Sequence, residues 1–515
     1  MISLSRSRRW VALSILCLSL FLAVVDNTIV NVALPTLNRE LNASTTEMQW
    51  IVDAYTLVFS ALLLAMGNIG DRIGRRRALQ IGLVIFGLTS VLAAISTTSG
   101  QLIGARALMG IGAALIFPAT LAIIINIFTD LKERAAAIGI WTAMVGVAVA
   151  VGPVAGGVLL ENFSWGAIFM VNVPVVIIAI TLGALFVPES RDPNIGQLDY
   201  RGFVLSIAAI TLVVWSIIEA PNFGWTSPII IATFSGGIGI LVLFARVELR
   251  LSHPMLDVRL FKNPRFTAAS VSIATAFFAL FGFIFLITQF LQFVLGYSPL
   301  EAGIRTLPFA VATGVMSPLA IVLMHRFGTK LIVSLGLLVM GIGFVIAATI
   351  TEGSAYLGPV VISMVTIATG LGLATSPATE SIMSTLPPEH AGAGAAVNDA
   401  TREIGGTLGV AVVGSIFLSF YSSYAQDAYQ NLGLPSEFET TVTNSMGGGL
   451  AVAEQLPPNV AEQLTASIEA AFIEGLSRGS LIAAAVVIAG SILALRYLPA
   501  RSTGIQRRKS DSKVV

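Results

Sequence analysis

Charge is what this sequence lacks most. Only 11% of its 515 residues are charged while 55% are hydrophobic, and the mean hydropathy is +0.87. A soluble protein of average make-up has roughly 25% charged residues, so this composition excludes a soluble enzyme, a nucleic-acid binder and a disordered scaffold. Net charge is only +1, which leaves no global field for nucleic acid. A single cysteine, Cys17, excludes a disulfide framework and a cysteine-based metal cluster. The three histidines, His253, His325 and His390, are too scattered for a zinc site. No phosphate-binding G-x-x-x-x-G-K-[ST] run occurs, so nucleotide hydrolysis does not power the protein. No arginine-rich voltage sensor occurs either.

What remains is long apolar runs. About 20 residues at about 1.5 Å each cross a hydrocarbon core, and by that ruler fourteen spans are expected. They lie near 10–34, 48–69, 78–97, 101–126, 135–160, 166–187, 201–219, 228–246, 266–293, 303–324, 330–350, 355–380, 398–421 and 479–497. The fold expected is all-α and integral to the membrane. With the N-terminus inside, 25 of the 29 Lys and Arg fall on the cytoplasmic side, which places both termini there. The 422–478 segment, with seven acids and one base, reads as a long outside loop with some helical turns. The basic tail at 501–513 reads as a solvated end near anionic lipid.

The chain resembles itself at an offset of 254. Leu41, Ser44 and Glu47 align with Leu295, Ser298 and Glu301, and Asp71–Arg76 aligns with His325–Lys330. Two six-helix bundles related by a pseudo-two-fold are therefore expected at 1–190 and 251–515, with a two-helix insert at 191–250. Transporters built from repeats bind near the midplane and rock to expose the site alternately.

Chemistry is confined to a few residues. Asp26 lies about sixteen residues into the first span, where a carboxylate costs at least about 2.5–3.5 kcal/mol. It is either a proton site, whose occupancy a moving partner would switch, or a structural hydrogen-bonding group. Asn27 and Asn31 share a face four residues apart and, with Thr56, are candidates to line a substrate cavity. Arg106, near the start of the fourth span, either holds a carboxylate ionised until the helices shift or snorkels to the interface. Asp53 is a second proton-site candidate or an interfacial acid. Glu219, Glu380, Asp399 and Glu403 read as interfacial, with Arg402 pairing locally with Asp399 and Glu403.

Gly67–Arg77 reads as a short cytoplasmic loop in which Gly74 makes the tight reversal. Gly67, Asp71, Arg72, Gly74, Arg75 and Arg76 form a candidate gate, with Asp71 bonding a helix N-terminus or a basic partner in one conformation and releasing it in another. In the fifth span Gly146, Gly152, Pro153, Gly156 and Gly157 strip side chains from one face. Gly152 and Gly156 there form a small-xxx-small contact.

Four of these motifs, in order, resemble those of the major facilitator superfamily. Gly67–Arg77 resembles its signature between the second and third helices. Leu22–Pro35 with Asp26 is similar to the first-helix motif of its fourteen-helix drug:proton antiporters. Arg106 with Gly110 and Gly112 is similar to their fourth-helix motif, and Gly152-Pro153 with Gly156-Gly157 to their fifth-helix motif. The resemblance implies no enzyme activity but proton-driven export of small amphipathic molecules, with no cofactor beyond the proton gradient. It assigns coupling to Asp26 and Arg106 and gating to Asp71, Arg72 and Arg75. Two departures stand out. Gly166 occupies a position where relatives often have Arg, and the tenth span carries no acid, which weighs against dicationic cargo.

The expected setting is a bacterial plasma membrane, with membrane lipids and small substrates as partners, no nucleic acid, and a monomer as the working unit. Drug export is the leading reading. A dedicated exporter of an endogenous lipid, siderophore or self-made antibiotic would use the same machinery. An uptake symporter, or a sensor or scramblase needing no gradient, are the other readings weighed.

Overall fold

The computed structural model describes residues 5–191, 199–251, 254, 256–385 and 391–499; the basic tail, His253 and His390 lie outside them. Among the described residues there is no strand. Backbone groups in hydrocarbon must be satisfied within their own segment, and helices do this. The first seven helices are α1 (Arg6–Leu41), α2 (Thr45–Ile73), α3 (Arg75–Ala94), α4 (Ser99–Ile127), α5 (Leu131–Asn162), α6 (Ala167–Met170) and α7 (Asn172–Phe186). Next come α8 (Tyr200–Phe223), α9 (Pro228–Glu248), α10 (Pro264–Gln289), α11 (Pro299–Arg305), α12 (Leu307–Phe327), α13 (Thr329–Ala347) and α14 (Val361–Met383). The last are α15 (Ala391–Leu432), α16 (Glu439–Asn444), α17 (Met446–Ala453) and α18 (Pro458–Tyr497). Thirteen helical runs among the described residues are long and apolar enough to span a membrane. The α2 helix, bent by 59°, makes fourteen.

Prolines accompany the breaks in two of the expected spans. Thr306 separates α11 from α12 because Pro308, in the first turn of α12, has no N–H to continue a helix and is at home where one begins. Val171 divides the sixth span just ahead of Pro174.

The expected loop at 422–478 is mostly helix. The chain of α15 runs on to Leu432 and α18 starts at Pro458, with α16 and α17 between. Tyr421 donates to the carbonyl of Val442 (2.9 Å) and Ser422 to that of Thr443 (2.9 Å), tying α16 to α15. Polarity ruled out a span there, but a polar segment between proline starts can still be helical.

The chain divides into two compact units whose boundaries differ from those expected. The first comprises Met1–Val213, Ala232–Met255 and Thr288–Arg305; the second comprises Val214–Ile231, Leu256–Ile287 and Thr306–Val515. The division cuts through α8 and α9, the two helices of the expected insert. Val214–Ile231 is fastened within the second unit, where Ser415 donates to the carbonyl of Ile217 (2.8 Å) and Trp225 to the hydroxyl of Ser419 (3.0 Å). Thr288–Arg305 joins the first unit through α11, which packs on α5 and α1.

In the first unit α1 is central, touching α2, α4, α5 and α7. A Cβ on Gly110 of α4 would lie 2.6 Å from the carbonyl oxygen of Tyr55, so only glycine lets α2 and α4 meet this closely. In the second unit α13 packs on α14 and α18, and α15 on α18.

The 254-residue repeat survives in backbone detail. Ser44 and Glu47 form a reciprocal capping box, with Ser44 N–H to Glu47 Oε2 at 2.8 Å and Glu47 N–H to Ser44 Oγ at 3.2 Å. Ser298 and Glu301 repeat it at 3.1 and 3.2 Å at the start of α11. Gly74 (φ 111°) and Gly328 (φ 92°) are matching one-residue connections between helices, in a region open to glycine.

Candidate functional site

Five helices of the first unit meet around one buried carboxylate. Asp26 of α1 and Arg106 of α4 are both 0% exposed and form an ion pair through Arg106 Nη1 and Asp26 Oδ2. Arg106 Nε donates to the carbonyl of Ile51 (3.0 Å), and its guanidinium lies over the ring of Tyr55, 4.4 Å from the centroid. The Tyr55 hydroxyl donates in turn to the carbonyl of Ala23 (3.0 Å), so the ring is fixed between α1 and α2. The other oxygen of Asp26, Oδ1, accepts from Asn172 Nδ2 of α7 (2.8 Å), which also lies 3.2 Å from Ser90 Oγ of α3. Arg106 is thus a buried partner of Asp26 and does not snorkel.

A dry ion pair of this kind is held by mutual attraction plus hydrogen bonds to the remaining atoms, and removing one partner strands the other. Arg106 Nη2 is buried with no hydrogen-bond partner among the described residues. A proton on Asp26 would remove the charge that Arg106 faces in this cluster.

Asp53 is also fully buried within the protein. Its Oδ1 accepts from Thr56 Oγ1 (3.5 Å), and its Oδ2 has no hydrogen-bond partner among the described residues. Thr56 Oγ1 also lies 3.3 Å from the Asp53 carbonyl. Asn31 Nδ2 donates to the Asn27 carbonyl (3.1 Å), so the expected shared face of α1 is present, with Asn27 half-buried and Asn31 buried. In the second unit Arg402 Nη1 lies 3.8 Å from Asp399, and its guanidinium lies 4.5 Å from the Phe277 ring centroid.

The expected Gly67–Arg77 loop shrinks to one residue, because Gly67–Ile73 completes α2 and Arg75 begins α3. Asp71 pairs with Arg75 (2.5 Å), the basic partner of the two alternatives. Arg75 Nη1 reaches the Ala122 carbonyl (3.4 Å), and Arg72 Nε donates to Asn68 Oδ1 (2.9 Å). Gly67 lies beside Pro118, with a Cβ there 3.5 Å from that of the proline. Glu189 completes the arrangement. It accepts from the backbone N–H of Arg76 (3.1 Å) and sits 3.9 and 3.8 Å from the Arg76 and Arg77 side chains. Arg76 Nη1 also donates to the Val187 carbonyl (3.3 Å).

Among the α5 glycines, Gly152 faces Thr28 and Gly156 faces Ile29 of α1, while Gly157 abuts the backbone of Leu300. The Pro153 carbonyl meets Gly303 of α11. Gly146 is the exception, with nothing within 4 Å of its would-be Cβ. Gly157 lies eleven residues on and shares its face, but α11 is only seven residues long and covers just the end of α5. Gly166, where an arginine was noted as missing, is pressed against the Ala94 carbonyl, leaving no room for a side chain.

Asn172, Ser90, Tyr55 and Glu189 were not anticipated. Asn172 carried a signal, being the one amide side chain in the apolar stretch 168–186. Glu189 is the first acid after that stretch.

A family profile described as Major Facilitator Superfamily matches residues 16–410. The chain is 39% identical over 485 residues to the multidrug efflux pump LfrA of Mycolicibacterium smegmatis, covering 94% of this chain and 95% of that one. It is 37% identical over 466 residues to the methyl viologen resistance protein SmvA of Salmonella typhimurium, covering 90% and 93%. Among solved structures, a bacterial homologue of the human lysosomal transporter Spinster superposes with a TM-score of 0.64 at 19% identity, covering 96% of this chain and 99% of that one. That likeness speaks to the fold alone.

Proposed function

The chain belongs to the Major Facilitator Superfamily of membrane transporters, and from that premise we propose that it exports drugs or similar amphipathic small molecules in exchange for protons. Relatives named for multidrug efflux and for methyl viologen resistance, matched nearly end to end, support the cargo class. The observation that carries the coupling is the wholly buried Asp26–Arg106 pair. Protonating Asp26 removes the charge that Arg106 neutralises, and a buried guanidinium left without its counter-ion is costly enough to drive helix movement. Asp53 is the second candidate to take up a proton or attract a cation. Asn27, Asn31 and Thr56 remain the candidates to meet cargo. Gly67, Asp71, Arg72, Gly74, Arg75 and Arg76, with Glu189, would set the gate. The protein would work as a monomer in a bacterial plasma membrane with both termini cytoplasmic, using the proton gradient and no cofactor.

The test is ethidium transport by the full chain in proteoliposomes with an imposed pH gradient. Gradient-driven transport that disappears in Asp26→Asn, with ethidium binding and folding retained, is expected. A wild type that binds ethidium but ignores the gradient would sink the antiport reading. An Asp26→Asn variant that is driven normally would move the proton site elsewhere.

A further inference from the structure

Arg106 can donate to Asp26 Oδ2 in either protonation state, but it cannot accept the hydrogen bond of an added proton. A guanidinium has donors and no acceptor, so it bonds a carboxylate well and has no use for a carboxylic acid proton. If Asp26 is to be protonated inside the same dry cluster, some other group must accept that proton's hydrogen bond. Otherwise a buried O–H is left unsatisfied, at a cost comparable to losing a hydrogen bond.

Asn172 is placed to do so. Its side chain is 2% exposed and its Nδ2 lies 2.8 Å from Asp26 Oδ1, on the side of the carboxyl away from Arg106. An amide is both donor and acceptor, and rotation by half a turn exchanges its NH₂ and carbonyl in nearly the same volume. Ser90 Oγ, fully buried 3.2 Å from Nδ2, is a hydroxyl that accepts from the NH₂ in one orientation and donates to the carbonyl in the other. The pair Asn172–Ser90 can therefore satisfy both forms of Asp26 without admitting water, and it joins α7 and α3 to the carboxyl on α1.

We propose that Asn172, oriented by Ser90, is the positioning residue that stabilises Asp26 in both protonation states: its N–H donates to the carboxylate, and its carbonyl accepts from the acid. Taking up one proton at Asp26 turns the amide over and turns the Ser90 hydroxyl from acceptor to donor. It also removes the charge that holds Arg106 Nη1 at Asp26 Oδ2, which weakens that contact. The inference rests on the reading of Asp26 as the proton site.

Few other groups compete for this role. Arg106 is the charged side chain that faces Asp26 from α4. On α2, Asp53 bonds Thr56 and Glu47 bonds Ser44. On α5, Glu133 pairs with Arg6 and Arg9, and Glu161 accepts from Ser298. The helices α6 and α7 carry no charged side chain.

The experiment measures the pH dependence of gradient-driven ethidium transport for the full chain in proteoliposomes. It compares wild type, Asn172→Leu, Ser90→Ala, Asp26→Asn and the double variant Asp26→Asn/Asn172→Leu. Losing a bond to the carboxylate costs about 1 kcal/mol more than losing one to the neutral acid, so the titration midpoint should rise by somewhat under one pH unit. Asn172→Leu should displace the midpoint by about that much. Ser90→Ala should displace it less and in the same direction, because the hydroxyl acts through the amide. In the Asp26→Asn background the titrating group is gone, so adding Asn172→Leu should displace no midpoint. A purely structural role would lower the rate of both variants without moving the midpoint, and that result overturns the inference. A displacement of equal size that persists without Asp26 overturns it as well. If Asn172→Leu does not fold, an unmoved midpoint in Ser90→Ala is decisive against it. A wild type insensitive to the gradient, or an Asp26→Asn variant driven normally, fails the functional reading first and takes this inference with it.

Discussion

Glu189 occupies the space that a β-carbon on Gly74 would need: its Cδ and Oε1 lie 2.7 Å from that position. The same carboxylate caps the start of α3 at the Arg76 N–H. The one-residue connection between α2 and α3 is thus fixed twice, by a backbone φ of 111° and by an acid from the far end of the sixth span.

Gly74→Ala should therefore be destabilising on both counts. The backbone conformation alone costs a non-glycine residue about 1–3 kcal/mol. Adding Glu189→Ala should relieve the steric part only, and it removes a cap worth about 1 kcal/mol. Thermal unfolding in detergent should place Gly74→Ala below wild type, with the double variant no better than partly restored. A Gly74→Ala protein as stable as wild type would contradict the assigned connection.

Arg106 and Asp26 should respond unequally to truncation. Arg106→Ala leaves a buried carboxylate without its cation, a defect of about 3–5 kcal/mol, whereas Asp26→Asn keeps a neutral acceptor for the guanidinium. Lysine cannot reproduce the fork that reaches both Ile51 and Asp26. Arg106→Lys is accordingly expected to lose at least about tenfold in gradient-driven ethidium transport, an effect equivalent to about 1.4 kcal/mol. Combining Asp26→Asn with Arg106→Ala should cost less than the sum of the two, which a double-variant cycle of unfolding temperatures would read.

Two glycines on one face of α5 make a matched pair. Gly157→Ala places a methyl group against the Leu300 backbone and should loosen α11 from α5, lowering the unfolding temperature and the transport rate together. Gly146→Ala meets open space and replaces a poor helix former, so it should be neutral or stabilising by about 0.5–1 kcal/mol. Equal losses at both positions would mean that α11 does not seat on Gly157.

The repeated capping boxes predict repeated costs. Ser44→Ala and Ser298→Ala should each lower stability by about 1 kcal/mol. Ser298→Ala should cost more, because Ser298 Oγ also donates to Glu161 of α5. Calorimetry of the two single variants would rank them.

The sequence made the spans legible because apolar length is a local property. It made Asp26 and Arg106 legible because charge in hydrocarbon is too costly to leave unpaired. The capping boxes were visible as a repeat of residue types whose geometry is likewise local. Asn172 and Ser90 were harder to see, since a neutral amide or hydroxyl costs little enough to pass as packing. The partner of Asn172 also lies 146 residues away on another helix. Glu189 reaches 113 residues back to Arg76. Spacing placed Gly146 and Gly157 on the same stripe, but only the reach of α11 decides which of them is covered. The 422–478 segment was read by polarity, which reports whether a segment can enter lipid and is silent on whether it is helical.

The helices flanking that segment carry a practical consequence. At about 1.5 Å per residue, the 42 residues of α15 and 40 of α18 extend roughly 60 Å each, about twice a hydrocarbon core. A long helical stalk must therefore stand clear of the lipid, on the face opposite the C-terminus because only α18 separates the two. An epitope grafted in the exposed connection between α17 and α18 would be open to antibody and protease from one compartment only, and a tag after α18 only from the other. Staining intact and permeabilised cells with the two reagents would show directly which way round the protein is inserted.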